Sequence, residues 1–147
     1  MEIHELVVGP LKTNCYIVTS DMNHAVIIDP GFDAEKIAAK IRELGAKPKF
    51  ILLTHGHFDH IGAVNALKKT FPEMKSVILA EDEDICLDPS LINSEIGVVT
   101  KPDMLFADGD IVKLDDLDFK FMATPGHTKG GVCFYERSEK TLFCGDT

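Results

Sequence analysis

Apolar and polar positions alternate over residues 3–8, 14–20 and 24–29, and the turn residues Gly9-Pro10 and Asp21-Met22-Asn23 separate these runs. A period of two bounded by turn chemistry predicts three short strands. The period then lengthens. In residues 33–44, Ile37, Ile41 and Leu44 recur at helical spacing, Asp33 stands where an N-cap belongs, and Gly45 and Pro48 stop the helix. The apolar run Phe50-Ile51-Leu52-Leu53 predicts a buried strand, residues 61–70 a second helix closed by Pro72, and Ser76–Ala80 another buried strand. Strand and helix thus alternate from residue 24 to residue 80, the pattern of a sheet covered by helices. Residues 81–103 read as a short acidic helix and a loop carrying Pro89, Gly97 and Pro102. Beyond residue 104 the period returns to two. Strands are expected near 111–114, 118–124, 131–136 and 141–145, with turns at Asp108-Gly109-Asp110 and Ser138-Glu139-Lys140. The fold class is α+β.

Length and composition narrow the class without identifying it. The 147 residues suit one domain, residues 1–147, able to bury roughly 68–70% of its unfolded surface. A hydrophobic share of 45% and a charged share of 27% are ordinary for a globular protein. The net charge of −9 argues against nucleic acid or an anionic membrane as partner. The acidic runs Glu81-Asp82-Glu83-Asp84 and Asp115-Asp116-Leu117-Asp118 read as solvated faces and turns. The N-terminus shows no secretory signal and no run is long enough to span a membrane. Cys15, Cys86, Cys133 and Cys144 lack C-x-x-C spacing, so reduced thiols in a cytoplasmic protein are expected.

The chemistry concentrates in Thr54-His55-Gly56-His57-Phe58-Asp59-His60, which follows the predicted buried strand directly. Three of the six histidines of the chain lie in this stretch beside a carboxylate. His55 and His57 are two apart, so in an extended segment their rings leave on one side and can share an ion. Asp59 and His60 are adjacent and point differently, which suits a second ion. Imidazole accepts zinc, copper, iron or nickel, and a carboxylate widens the choice towards iron and manganese. Two further pieces also follow predicted strands: Thr124-Pro125-Gly126-His127-Thr128-Lys129-Gly130-Gly131, and Cys144-Gly145-Asp146-Thr147. A histidine between Pro-Gly and Gly-Gly is aimed by tight backbone rather than by bulk. His4 and His24, remote from these pieces in sequence, are expected at the surface, and Lys129 reads as a solvated loop lysine.

The pieces T-H-G-H-F-D-H at 54–60, T-P-G-H-T at 124–128 and F-C-G-D-T at 143–147 together resemble the metallo-β-lactamase fold superfamily, and within it the glyoxalase II-like hydrolases. Asn14-Cys15-Tyr16 and Ile28-Asp29-Pro30-Gly31 resemble the early strands of that family. The resemblance implies an αβ/βα four-layer sandwich with two mixed β-sheets and the site along one edge between them. It implies that His55, His57 and His127 hold a first metal, that Asp59 and His60 hold a second, and that Asp146 bridges both. Asp29 would stand beside the metals without ligating them. The family pattern continues past the bridging aspartate, with a further histidine for the second metal. The chain here stops at Thr147, so the second half of the sandwich and the second metal site are expected to be incomplete.

The activity implied by the resemblance is hydrolysis of a thioester such as a hydroxyacyl-glutathione, by a hydroxide held on zinc, with iron or manganese as alternative metals. Asp59 would orient the water and take a proton. Two other readings stay open: an iron-dependent sulfur dioxygenase on the same fold, and a catalytically impaired metal-binding fragment. The expected partners are a small-molecule substrate and either a second copy or a complementing chain over the uncovered face. Nucleases of the superfamily are disfavoured by the charge.

Overall fold

A computed structural model of the chain describes residues 1–87 and 101–146. Six strands form the first sheet, in the order β1 (Glu2–Val8), β2 (Thr13–Thr19), β3 (His24–Ile28), β4 (Lys47–Leu52), β5 (Lys75–Leu79) and β6 (Met104–Phe106). Neighbours from β1 to β3 run antiparallel and those from β3 to β6 parallel, so this sheet is mixed. The second sheet contains β7 (Ile111–Leu114), β8 (Leu117–Ala123), β9 (Val132–Glu136) and β10 (Thr141–Phe143), each antiparallel to its sequence neighbour.

Among the described residues four helices join these strands: α1 (Ala34–Glu43), α2 (Phe58–Ile61), α3 (Val64–Thr70) and α4 (Glu83–Leu87), the last entered through a 3-10 turn at Ala80–Asp82. Helix α1 buries Ile37, Ala38 and Ile41, the face its period predicts. Asp33 does not cap it. Its side chain makes no cap bond, its backbone is left-handed at φ 59°, and its carboxylate accepts from Gly9 N at 3.0 Å. The capping role yields to a tether that joins the helix entrance to the β1–β2 turn. The second predicted helix divides at Gly62–Ala63, and α2 begins inside the histidine-rich stretch, so Asp59 and His60 are helical. Strand β6 went unforeseen, since three residues carry too little period to read.

The alternating faces of the first sheet create two cores. Cys15, Ile17, Ala25, Ile27, Ile51, Leu53 and Ile78 meet the helices on one side. On the other side Val18, Val26, Ile28, Leu52 and Val77 meet Phe119, Phe121 and Phe134 of the second sheet. Each fully buried phenylalanine contributes about 1.5–3 kcal/mol relative to exposure. All helical residues of either core belong to the first, so among the described residues the layers run helix, sheet, sheet. The outer face of the second sheet leaves Met122 and Leu142 exposed. The expected α+β class holds, but the second sheet is antiparallel throughout instead of mixed, and the described residues form three of the four expected layers.

Two acidic runs are not simply solvated. Asp82 is fully buried. Asp115 accepts from the Ser20 hydroxyl at 2.5 Å and meets His24 Nδ1 at 2.8 Å, while Asp116 accepts from Asp21 N at 3.0 Å. The second run thus docks the β7–β8 turn onto the β2–β3 turn, and His24 is partly buried there instead of lying free on the surface. His4 is also half-buried, beside Glu2. The four cysteines are free thiols, three of them buried. No described helix is long and apolar enough to cross a membrane. The loop read from Pro89 and Gly97, and Thr147, lie outside the described residues.

Candidate metal centre

Four strand ends converge at one edge between the sheets. β3 delivers Asp29, β4 delivers Thr54 to His60, β8 delivers His127 and β10 delivers Asp146. Val132 N donates to Thr54 O at 2.9 Å, which joins the second sheet to the first beside the histidines. Close backbone contacts fix the edge further. A Cβ at Gly31 would collide with the Asp59 carbonyl, and one at Gly145, whose φ is 57°, would enter the Thr54 side chain.

The geometry brings all six sequence-predicted residues together. Ligand atoms of His55, His57 and His127 lie within 4.8 Å of one another, and so do those of Asp59, His60 and Asp146. Asp146 stands between the two groups. Its Oδ2 is 3.2 Å from His127 Nε2 and 3.7 Å from His55 Nε2, while its Oδ1 is 3.3 Å from His60 Nε2. His57 Nδ1 and His127 Nε2 face each other at 3.1 Å.

His55 supplies the most telling atom. It is 2% exposed, its Nδ1 is 3.0 Å from the Thr54 hydroxyl, and its buried Nε2 has no hydrogen-bond partner among the described residues. Burial, then the neighbouring His60, pushes its imidazole down to about 4, so the ring is neutral. A buried, unpaired imidazole lone pair costs free energy unless an electrophile meets it. The rings of His57, His60 and His127 surround it with centroids 4.2–4.9 Å away. A cation among these nitrogens fits the donor set.

Asp29 is 1% exposed, and its carboxylate also lies within 4.8 Å of ligand atoms of His55 and His60. Its carboxylate accepts from Thr54 N at 2.8 Å, from the Thr54 hydroxyl at 2.5 Å and from His60 Nδ1 at 2.8 Å. Burial pushes His60 down, but the hydrogen bond and charge of Asp29, with Asp59 and Asp146, outweigh it and raise the imidazole above its ordinary value. A cavity of about 420 Å³ opens beside Asp59, His60 and Asp146, walled by Lys12, Thr13 and Tyr16 among others. Tyr16 packs edge-on against Phe143 at 5.3 Å, as a wall residue should. Lys129 is solvated, 3.5 Å from Asp84.

Sequence reasoning missed Asp82. Its side chain reaches both ligand-bearing loops, yet in sequence it is one acid among four, and only the buried Gly56 and Gly130 backbones it touches mark it.

Comparison with known proteins agrees with this geometry. The metallo-beta-lactamase superfamily profile matches residues 8–147, and the chain belongs to that superfamily. The hydroxyacylglutathione hydrolase GloC of Haemophilus influenzae is 37% identical over 153 residues, covering 99% of this chain and 71% of that protein. Among solved structures, the BLEG-1 B3 metallo-beta-lactamase superposes with a TM-score of 0.88 at 34% identity, over 99% of this chain and 72% of that one. TTHA1623, solved in a di-iron-bound form, superposes with a TM-score of 0.80 at 32% identity, over 97% and 71% of the two chains.

Proposed function

We propose that the chain is a metal-dependent hydrolase that cleaves a thioester of the hydroxyacyl-glutathione type. The observation that carries the metal reading is the buried, unpartnered His55 Nε2 inside a ring of three further imidazoles. In this reading His55, His57 and His127 would hold one cation, Asp59 and His60 would hold a second, and Asp146 would serve both. The GloC relative supports the choice of substrate.

A divalent cation, when bound there, would bring the pKa of a bound water down to about 7 and polarise an acyl oxygen. The residues of the chain supply the rest. Asp59 Oδ2, 3.4 Å from His60 Nε2 and 3.5 Å from the Thr13 hydroxyl, orients the attacking water and takes its proton. His60, turned by Asp29, keeps Nε2 directed at Asp59 and Asp146. The cavity beside Asp59 receives the acyl group, with Tyr16 as its wall. The four free thiols support a reducing, cytoplasmic setting for such a substrate.

The test is thiol release from lactoylglutathione by the zinc-loaded chain, with a chromogenic cephalosporin as a second substrate. Thiol release that disappears in Asp59→Asn supports the reading. Cleavage of the cephalosporin alone, or of neither, contradicts it.

A second reading is an iron-dependent sulfur dioxygenase that oxidises a persulfide with dioxygen; the di-iron form of TTHA1623 supports its choice of metal and no more. Oxygen uptake by the iron-loaded chain on a persulfide would select it. For partners, the exposed Met122 and Leu142 on the second sheet support self-association or a complementing chain, and a monomer in a size measurement at micromolar concentration would exclude self-association.

A further inference from the structure

We propose that Asp82 is a positioning residue that clamps the two ligand-bearing loops to each other and so pre-forms the three-imidazole site. The inference rests on the metal reading above and extends it to a residue outside the ligand set.

Asp82 lies on the 3-10 turn after β5 and is fully buried. One oxygen, Oδ2, accepts from Gly56 N at 2.9 Å and from the Thr128 hydroxyl at 2.8 Å. The other, Oδ1, accepts from Gly130 N at 2.7 Å. Gly56 separates His55 from His57, and Thr128 follows His127. One carboxylate therefore holds the backbone between two of the imidazoles and the residues just beyond the third. Packing enforces the same arrangement. A Cβ at Gly130 would approach Asp82 N to 2.6 Å, and one at Gly56 would lie 3.0 Å from Asp82 O.

The clamp matters because it is a buried tether on a loop whose histidine lies at the surface. His127 is exposed, and Gly126, with φ 153°, has nothing within 4 Å of its Cβ position. The described loop is also held by Gly126 N to Thr128 O within the loop, by Thr124 N to Gly131 O at its base, and at its exposed side by His127 against His57 and Asp146 and by Lys129 against Asp84. A loop ordered only when a cation arrives charges that ordering entropy against affinity. A loop already fixed by a buried carboxylate does not. Groups that orient metal ligands typically change metal affinity 10–100-fold when replaced.

Zinc affinity, read by competition with a chromophoric chelator, tests this on the whole chain. Asp82→Asn keeps the volume but turns an acceptor oxygen into a donor facing an N–H. It is expected to weaken the tightest zinc site about 10–100-fold and to alter the d–d spectrum of the cobalt-substituted chain. Thr128→Val removes one of the three bonds and is expected to weaken the same site several-fold, whereas Thr128→Ser, which keeps the hydroxyl, restores it. If Asp82→Asn lowers the melting temperature of the metal-free chain yet leaves zinc affinity and the cobalt spectrum unchanged, the residue is merely structural and the proposal is overturned. Should Asp82→Asn not fold, unchanged zinc affinity in Thr128→Val overturns it equally. A wild-type chain that binds no zinc, cobalt or iron overturns the metal reading itself, a failure distinct from wild-type binding that the variants do not alter.

Discussion

The Asp29 carboxylate accepts a hydrogen bond from His60 Nδ1 at 2.8 Å, and this one bond fixes which ring nitrogen faces the cavity. His60 Nε2 is left directed at Asp59, 3.4 Å away, and at Asp146, 3.3 Å away. The raised imidazole of His60 has its strongest favourable cause in the same bond. Asp29→Asn keeps the size and tolerates the left-handed backbone at φ 52°, yet it weakens this orientation. Metal affinity at the Asp59, His60 and Asp146 group is predicted to fall about 10–100-fold, with a smaller effect on the three-imidazole group, as read by calorimetric titration. The His60 pKa in the metal-free variant, followed by NMR, is predicted to move down.

Gly145 places Asp146 by coming closer to Thr54 than any side chain allows. Gly145→Ala meets both a φ of 57° and the Thr54 side chain, which itself hydrogen-bonds to Asp29. A stability cost of about 1–3 kcal/mol is expected from the backbone. Hydrolysis is predicted to fall by more than that loss of stability explains, because Asp146 moves relative to both histidine groups. Chemical denaturation and turnover measured on the same preparations would separate the two effects.

The Lys68 ammonium lies 2.6 Å from the Asp103 carboxylate, which also accepts from Ser76 N at 2.9 Å. Burial pushes Asp103 up, but Lys68 and Ser76 outweigh it and hold the carboxyl below its usual value. A carboxyl depressed on folding stabilises above its unfolded pKa, and that contribution is lost as pH falls through the lower folded value. Lys68→Met is therefore predicted to cost about 0.5–1.5 kcal/mol at neutral pH. The gap to wild type should close in acid, as checked by denaturation across the acid range.

The thiols are predicted to react in an order set by burial. Burial, then Asp29, holds the Cys15 thiol far above its usual value, and burial, then the acids of the Asp82 run, pushes Cys86 up to about 12. Cys144 is also raised, by burial and then by the Cys133 thiol, but it is partly exposed. An aromatic disulfide reagent at mildly alkaline pH should modify Cys144 first in the native chain and reach Cys15 and Cys86 only on unfolding. Mass mapping of the labelled peptides would check the order.

The histidine-rich stretch was legible because its chemistry is local: His55, His57, Asp59 and His60 share six positions after one apolar run. His127 and Asp146 became legible through family resemblance, since each alone is an ordinary strand-end residue. Asp82 was not legible. Its three partners lie 26, 46 and 48 residues away, so no window of sequence contains them, and its acidic neighbours disguise a buried carboxylate as a solvated face. Asp33 misled for a related reason, because its side chain reaches Gly9 across the fold in preference to the helix it precedes. Periodicity located the long elements, whereas the division at Gly62–Ala63 depends on packing against Pro30, whose carbonyl accepts from Ala63 N at 2.9 Å.

The central claim is that His55 Nε2, buried with no hydrogen-bond partner among the described residues, holds a metal. Metal analysis of the chain after exhaustive dialysis, beside His55→Ala, tests this most directly. The wild-type chain is predicted to retain at least one equivalent of a transition metal, and the variant to lose the tightly held one. A wild-type chain that retains none, or a variant that retains as much, would contradict it.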